Sequence, residues 1–221
     1  PPCSRCSVFQ PNWLVRELDL DGLYLDGLGY DRQTTKRMRR VLHAAKPGAL
    51  LDLHSGNGFH PQYGNTTAAC LYMEHFPYLD SIWFGELFDY DEPPEYWLVE
   101  MCGIPFGLFG EMLQGGGNPW RGMLFGISNR LGWGGDPRHL WRVWDEFGIK
   151  EARFIGWWDE AVPVRTDDPQ IKATCYVRPD RTLVALASWA PATRQVRLSI
   201  DWIAVGLRSE HSRLEAPAIP T

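Results

Sequence analysis

The sequence predicts an α/β chain: the C-terminal half of a (β/α)8 TIM-type barrel, followed by a small antiparallel β-sandwich. Three observations carry that prediction. Strand-length apolar runs alternate with helical patterns between residues 20 and 149. Three of those runs end on a residue able to do chemistry: Leu23-Tyr24-Leu25 on Asp26, Leu50-Leu51-Asp52-Leu53 on His54, and Ser81-Ile82-Trp83-Phe84, through Gly85, on Glu86. After Gly148 the helical period gives way to strict alternation. In a parallel barrel, side chains at the C-terminal ends of strands line one shared mouth.

Residues 1–19 read as an irregular N-terminal segment, and Pro1 to Gln10 hold no apolar signal core, so a leader was removed or this is an internal piece. Residues 20–54 read as a β-α-β unit. Asp31 is placed to cap a helix, in which Met38, Val41, Leu42 and Ala45 recur at helical spacing. Pro47-Gly48 ends it, and a crossover of this length favours parallel strands. Lys36, Arg37, Arg39 and Arg40 then fall on a solvated outer face.

The unit repeats. Thr66 to Phe76 reads as a helix, Ser81 to Phe84 as a strand, and Glu95 to Cys102 as another helix. Ile104 to Phe109 and Met123 to Ile127 are the expected final strands. Asp136-Pro137 opens a helix through Phe147, with proline in its first turn. This makes about five parallel strands where a closed barrel takes eight, short by about 90 residues at the length scale of a whole barrel. The expected partners therefore include a missing barrel half, or a second copy met through the open sheet edge.

From 150 to 205 the pattern is that of the sandwich. Val196, Leu198, Ile200 and Trp202 alternate with Gln195, Arg197, Ser199 and Asp201. Ile171 to Val177 and Thr182 to Ser188 flank the turn Arg178-Pro179-Asp180-Arg181. Residues 206–221 read as an irregular tail.

A net charge of -5 over 221 residues argues against nucleic acid, whose binders carry a basic face. No apolar stretch is long enough to cross a membrane. Eleven tryptophans are unusual; each offers a flat apolar face and one N–H donor, and sugars stack on such faces. Trp141 and Trp144 are placed for packing, whereas Trp83, Trp120, Trp133, Trp157 and Trp158 fall near strand ends or Gly-rich loops. Cys3 and Cys6 form a lone C-x-x-C without a second pair, and Cys70, Cys102 and Cys175 sit among apolar residues as buried thiols. Asn65-Thr66-Thr67 is a glycosylation sequon, usable only in a secreted protein.

The chemistry-bearing residues converge on glycan cleavage. Asp26, after an apolar strand and before Gly27, is a barrel-mouth carboxylate or a turn cap. Asp52 shares a strand face with His54, and either interacts with it or is a structural acid. His54 and Asn57 suit sugar hydroxyls. Glu86, behind Trp83-Phe84-Gly85, is the general acid or base if the apolar wall raises its pKa; the alternative is a salt-bridge partner. Glu111 and Arg121 are further substrate contacts. The acidic loop Asp89, Asp91, Glu92 lacks the calcium-loop spacing, and Gly115-Gly116-Gly117 has no following Lys-Ser/Thr, so no metal and no cofactor is expected. Two carboxylates facing one cleft are the minimum for glycoside hydrolysis, their separation deciding what attacks.

The segments Asp21-Gly22-Leu23-Tyr24-Leu25-Asp26-Gly27, Asp52-Leu53-His54-Ser55-Gly56-Asn57, Tyr78 to Glu86, Gly103 to Leu108 and Asn118 to Met123 resemble glycoside hydrolase family 123-like proteins. The resemblance spans about residues 20–200. It implies a β-N-acetylgalactosaminidase on a (β/α) barrel without metal, in which the substrate's own acetamide oxygen attacks the anomeric carbon. It implies that Asp26 orients that acetamide. The family's adjacent Asp-Glu pair reads Asp26-Gly27 here, which leaves the acid's place to Glu86. A non-catalytic carbohydrate-binding protein on the same scaffold is the alternative.

Overall fold

The structure, a computed structural model, describes residues 6–26, 31–54, 72–83, 91–110, 119–128 and 136–217. The chain divides into two compact units, Pro1–Met112 and Leu113–Thr221.

The first unit is built on four parallel strands, β1 (Gly22–Leu25), β2 (Leu50–His54), β3 (Ser81–Trp83) and β4 (Phe109–Gly110), in sheet order β1-β2-β3-β4. Among the described residues they form an open sheet, not a closed barrel. Helix α1 (Cys6–Glu17) precedes β1, and α2 (Arg32–Ala45) crosses from β1 to β2. Asp31 caps α2 as its position implies, its Oδ1 accepting the Thr34 N–H at 2.7 Å. Met38 and Leu42 are buried on its inner stripe.

Register divides the sheet into two faces. Tyr24 lies opposite Asp52 and Asp52 opposite Ser81, while Leu23 lies opposite Leu51 and Leu53 opposite Ile82. Side chains alternate along a strand, so the leucines and Ile82 share one face. Leu51, Leu53 and Ile82 have no exposed surface. Tyr24, Asp52, His54 and Ser81 share the other, and the Ser81 hydroxyl donates to Asp52 Oδ1 across it at 2.7 Å.

An ion pair pins the opposite end of the strands. Arg39 of α2 reaches Asp80 with both prongs, Nη1 to Oδ2 at 2.6 Å and Nη2 to Oδ1 at 2.7 Å. Nη1 also donates to the Ala49 carbonyl, and Asp80 Oδ2 accepts the Leu51 N–H. Arg39 is thus not the solvated side chain that a basic helix face suggests; its partners, 10 and 41 residues away, are invisible to helical periodicity.

In the second unit, β5 (Arg153–Ile155), β7 (Ile171–Val177) and β8 (Thr182–Ser188) form one antiparallel sheet, and β6 (Val164–Thr166) pairs with β9 (Leu198–Ile200) in another. Both contribute to one core of Ile155, Val162, Val164, Ala173, Cys175 and Val205, against which Leu198, Ile200 and Trp202 pack. The β7–β8 hairpin has the bounds expected from its turn, closed by the Arg178 N–H donating to the Arg181 carbonyl. Helix α3 (Arg138–Phe147) follows Pro137 and stops at Gly148, whose φ of 76° favours glycine.

Five segments differ from the sequence reading. Of the strand expected over Gln195–Trp202 only Leu198–Ile200 is paired. Cys6–Glu17 is helical rather than irregular; Pro11 inside it masks the pattern. Ile104–Phe106 is a 3-10 turn between left-handed Gly103 and Gly107, and only Phe109–Gly110 is strand. Pro119–Phe125 is a 3-10 helix whose carbonyls are met by side chains instead of a ladder. Tyr176 Oη donates to Met123 O at 2.5 Å and Thr174 Oγ1 to Leu124 O at 2.8 Å. Met123, Leu124, Phe125 and Ile127 are all buried, and periodicity cannot tell a short buried apolar run from a strand. Of the predicted helix 66–76, the described end, Met73–Tyr78, is 3-10. Cys102 and Cys175 are buried thiols, and burial pushes Cys102 up to about 12 and Cys175 to about 11.

Candidate active site

Continuing the parallel register one step past Leu25 and Leu53 brings Asp26 beside His54, and His54 lies opposite Trp83. Three consecutive strands therefore deliver Asp26, His54 and Trp83 to one row at their C-terminal ends, where active sites form in folds of this kind.

Within that row His54 and Asp26 are joined. His54 Nδ1 and Asp26 Oδ1 are 3.0 Å apart. Because a carboxylate only accepts, Nδ1 carries the shared proton. The two side chains differ in setting: His54 is 13% exposed and Asp26 81%. The ring is gripped by the fold and the carboxylate is presented to solvent. Tyr24, two residues before Asp26 and on the same face, sets its ring 6.3 Å from that of His54, inclined by 36°. Tyr24 is 43% exposed, so an aromatic surface lies beside the carboxylate.

Asp52 is on the face of His54, as the i, i+2 spacing requires, and its Oδ1 takes the Ser81 hydroxyl. Of the two readings its sequence left open, the structure shows a structural bond to the next strand. The row behind the mouth is thus Tyr24, Asp52 and Ser81. Sequence reasoning missed Tyr24 and Ser81 as part of this face; the i, i+2 spacing of Tyr24 and Asp26 along a strand was the signal for Tyr24.

The other expected site residues are placed unequally. Trp83 is fixed by its backbone pairing with His54. Asn57, Glu86 and Glu111 lie outside the described residues. Arg121 belongs to the second unit, where Nη2 donates to the Ser188 carbonyl at 3.0 Å and the guanidinium lies 4.9 Å from the Trp189 ring centre. It ties the 3-10 segment to the end of β8. His54, expected to meet sugar hydroxyls, gives Nδ1 to Asp26. Among the described residues no group of three or more His, Cys, Asp and Glu side chains could hold a metal ion.

Comparison with known families adds two matches that together span most of the chain. The family model described as Glycoside hydrolase 123, TIM-barrel domain, matches residues 7–132. The model described as Glycoside hydrolase 123, C-terminal domain, matches residues 136–221. No curated protein and no solved structure matches the chain.

Proposed function

We propose, since this chain belongs to glycoside hydrolase family 123, that it cleaves the glycosidic bond of an N-acetylhexosaminide of the N-acetylgalactosamine type, with Asp26 orienting the substrate's acetamide. The observation that carries this reading is the Asp26–His54 hydrogen bond at the strand ends. A carboxylate held by a gripped imidazole, yet open to solvent, suits contact with an incoming ligand.

In this reading Asp26 accepts the acetamide N–H, and the acetamide oxygen attacks the anomeric carbon. Glu86 gives its proton to the leaving oxygen. Asn57, Trp83 and Glu111 contact the sugar, and the exposed ring of Tyr24 offers it a stacking surface.

The test is hydrolysis of an aryl N-acetyl-β-galactosaminide, with the matching aryl galactoside as control. Turnover of the first and not the second is expected if the acetamide takes part. Asp26→Asn then removes most of the rate, and Glu86→Ala lowers it by about 100-fold or more, as loss of a general acid does. Equal turnover of both glycosides, or an unchanged rate in either variant, rejects the assignment.

A second reading has its own support. Gly27 follows Asp26 where the family resemblance calls for the acid, so a non-catalytic carbohydrate-binding protein is the alternative. Glycan binding without turnover of any aryl glycoside selects it.

A further inference from the structure

We propose that β8 is an association edge: it pairs antiparallel with β8 of a second copy of this chain, about a two-fold axis at Ala185.

The hydrogen-bond ladder leaves that edge open. β8 ends the strand order β5-β7-β8, so β7 flanks it on one side only. At the two ends of the hairpin the Arg178 N–H donates to the Arg181 carbonyl and the Trp189 N–H to the Gln170 carbonyl. Bonded and non-bonded pairs alternate along an antiparallel ladder, so Leu183, Ala185 and Ala187 turn their backbone groups to β7. Those of Val184, Leu186 and Ser188 turn outward. The Ser188 carbonyl accepts from Arg121 Nη2 at 3.0 Å, which fits that direction. Among the described residues no strand pairs with this edge, and no backbone group outside the sheet bonds to Val184 or Leu186.

The strand lacks the usual defences. Natural edges are short, charged, bulged or broken by proline. β8 runs seven residues in unbroken register with β7. Thr182 to Ser188 holds neither a charge nor a proline, and no charged residue stands between Arg181 and Arg194. An apolar edge of this length invites another strand.

The open groups are self-complementary. Val184 and Leu186 flank Ala185 symmetrically, so a two-fold axis there sets Val184 against the partner's Leu186 and Leu186 against the partner's Val184. Each of these pairs exchanges both N–H···O bonds, and the two alanines between them form a non-bonded pair with Cα atoms about 4.5 Å apart. The side chains agree. Val184 and Leu186 lie opposite Cys175 and Ala173, both core residues, and Val184 packs on that core. Leu186 is 46% exposed. Pairing lays each Leu186 beside the partner's Val184, and such apolar cross-strand pairs stabilise a sheet. No uncompensated charge is brought to the axis: Thr182 opposes the partner's Ser188, and Arg181 beyond it is bound to Asp180 at 2.9 Å. A foreign strand would find no charged side chain on this edge to select it, whereas the symmetry of the open groups selects a second copy.

The experiment is sedimentation equilibrium of the full chain. A monomer–dimer equilibrium is expected, with a Kd of about 10 µM, the affinity of a small and transient interface. Leu186→Lys sets like charges beside the axis and should weaken the dimer by about tenfold or more. Ile203→Lys changes an apolar side chain 92% exposed and outside β8, and should leave it unchanged. Ala185→Cys should form an intermolecular disulfide through position 185 on mild oxidation, since the expected spacing is within disulfide reach; peptide mass spectrometry identifies it. Far-UV circular dichroism is expected to be unchanged in each variant. A chain that stays monomeric up to about 300 µM, thirty times that Kd, leaves the edge to another strand or to none, and overturns the proposal. So does a dimer that Leu186→Lys leaves intact, one that Ile203→Lys weakens equally, or an Ala185→Cys dimer linked at any other position.

Discussion

His54 Nδ1 meets Asp26 Oδ1 at 3.0 Å, joining a side chain 13% exposed to one 81% exposed. The register of β1 and β2 puts the two at the same level, so the contact is a property of the sheet and not of a flexible loop. A mostly buried ring transmits the position of β2 to a carboxylate that solvent and ligand reach.

On the glycosidase reading proposed above, that division of labour makes His54 a positioning residue. His54→Ala should lower kcat by about 100-fold, the scale expected when a reacting group is misplaced by 1 Å, with a smaller change in KM. His54→Gln retains an N–H donor and should recover part of the loss. Equal effects of the two variants on kcat, or an effect confined to KM, would contradict positioning. The readout is steady-state kinetics on the aryl N-acetylgalactosaminide.

At the other end of the strands, the Arg39–Asp80 pair holds α2, Ala49 and the Leu51 N–H together. Both side chains are a little under one-third exposed, so solvent screens the pair only in part. Asp80→Ala removes the acceptor of three hydrogen bonds and should cost about 2–3 kcal/mol, since single hydrogen bonds to charged groups contribute roughly 1.5–3. For a chain of this size that is a fall in Tm of about 4–12 °C. Arg39→Lys keeps the charge but loses the fork and should recover less than half. A thermal melt followed by circular dichroism measures both; a shift under about 2 °C for Asp80→Ala would mean that the clamp is idle.

The contrast between these two ends explains what the sequence could disclose. Strand ends that finish on Asp26 and His54 are local patterns, and a parallel sheet turns them into neighbours without further information. The β7–β8 hairpin was legible for the same reason, because its turn chemistry is local. Arg39 and Asp80 are 41 residues apart, and nothing near either one signals the other. The segment Pro119–Phe125 was misread because its carbonyls find Thr174 and Tyr176 some fifty residues on; an apolar run alone does not say whether a strand or a side chain will satisfy its backbone. The acid expected at Glu86 lies outside the described residues, so the second half of the proposed pair is a matter for kinetics.

His75 supplies a pH dependence of stability. Its ring is 3% exposed, with Nδ1 3.0 Å from Thr35 Oγ1, and burial lowers its pKa below 6.5 against the opposing charges of Glu74 and Asp31. The unfolded chain therefore takes up a proton at His75 before the folded chain does. Stability from this group is fully present above pH 6.5 and is lost as the pH falls below it, with a slope of at most about 1.4 kcal/mol per unit. His75→Gln should flatten the stability profile between about pH 6.5 and 5 relative to the parent. Urea midpoints across that range test it; parallel profiles for parent and variant would show that His75 titrates alike in both states.

Gly22 couples the fold to the site. A Cβ at this position would lie 2.6 Å from the Leu50 carbonyl oxygen and 2.9 Å from the Leu50 Cβ, and Gly22 and Leu50 are register partners at the start of β1 and β2. The clash is with backbone, which no rotamer change relieves, so Gly22→Ala must push β1 away from β2. Overpacking of this kind costs about 1–3 kcal/mol. The same displacement moves Asp26 relative to His54 at the far end of the strands. Gly22→Ala should therefore lower both the urea midpoint and kcat, whereas Gly48→Ala, whose Cβ meets nothing within 4 Å, should cost stability through its φ of 85° and leave kcat within about twofold at temperatures where it stays folded. A Gly22→Ala enzyme with parental kcat would show that the β1–β2 register does not govern the Asp26–His54 contact.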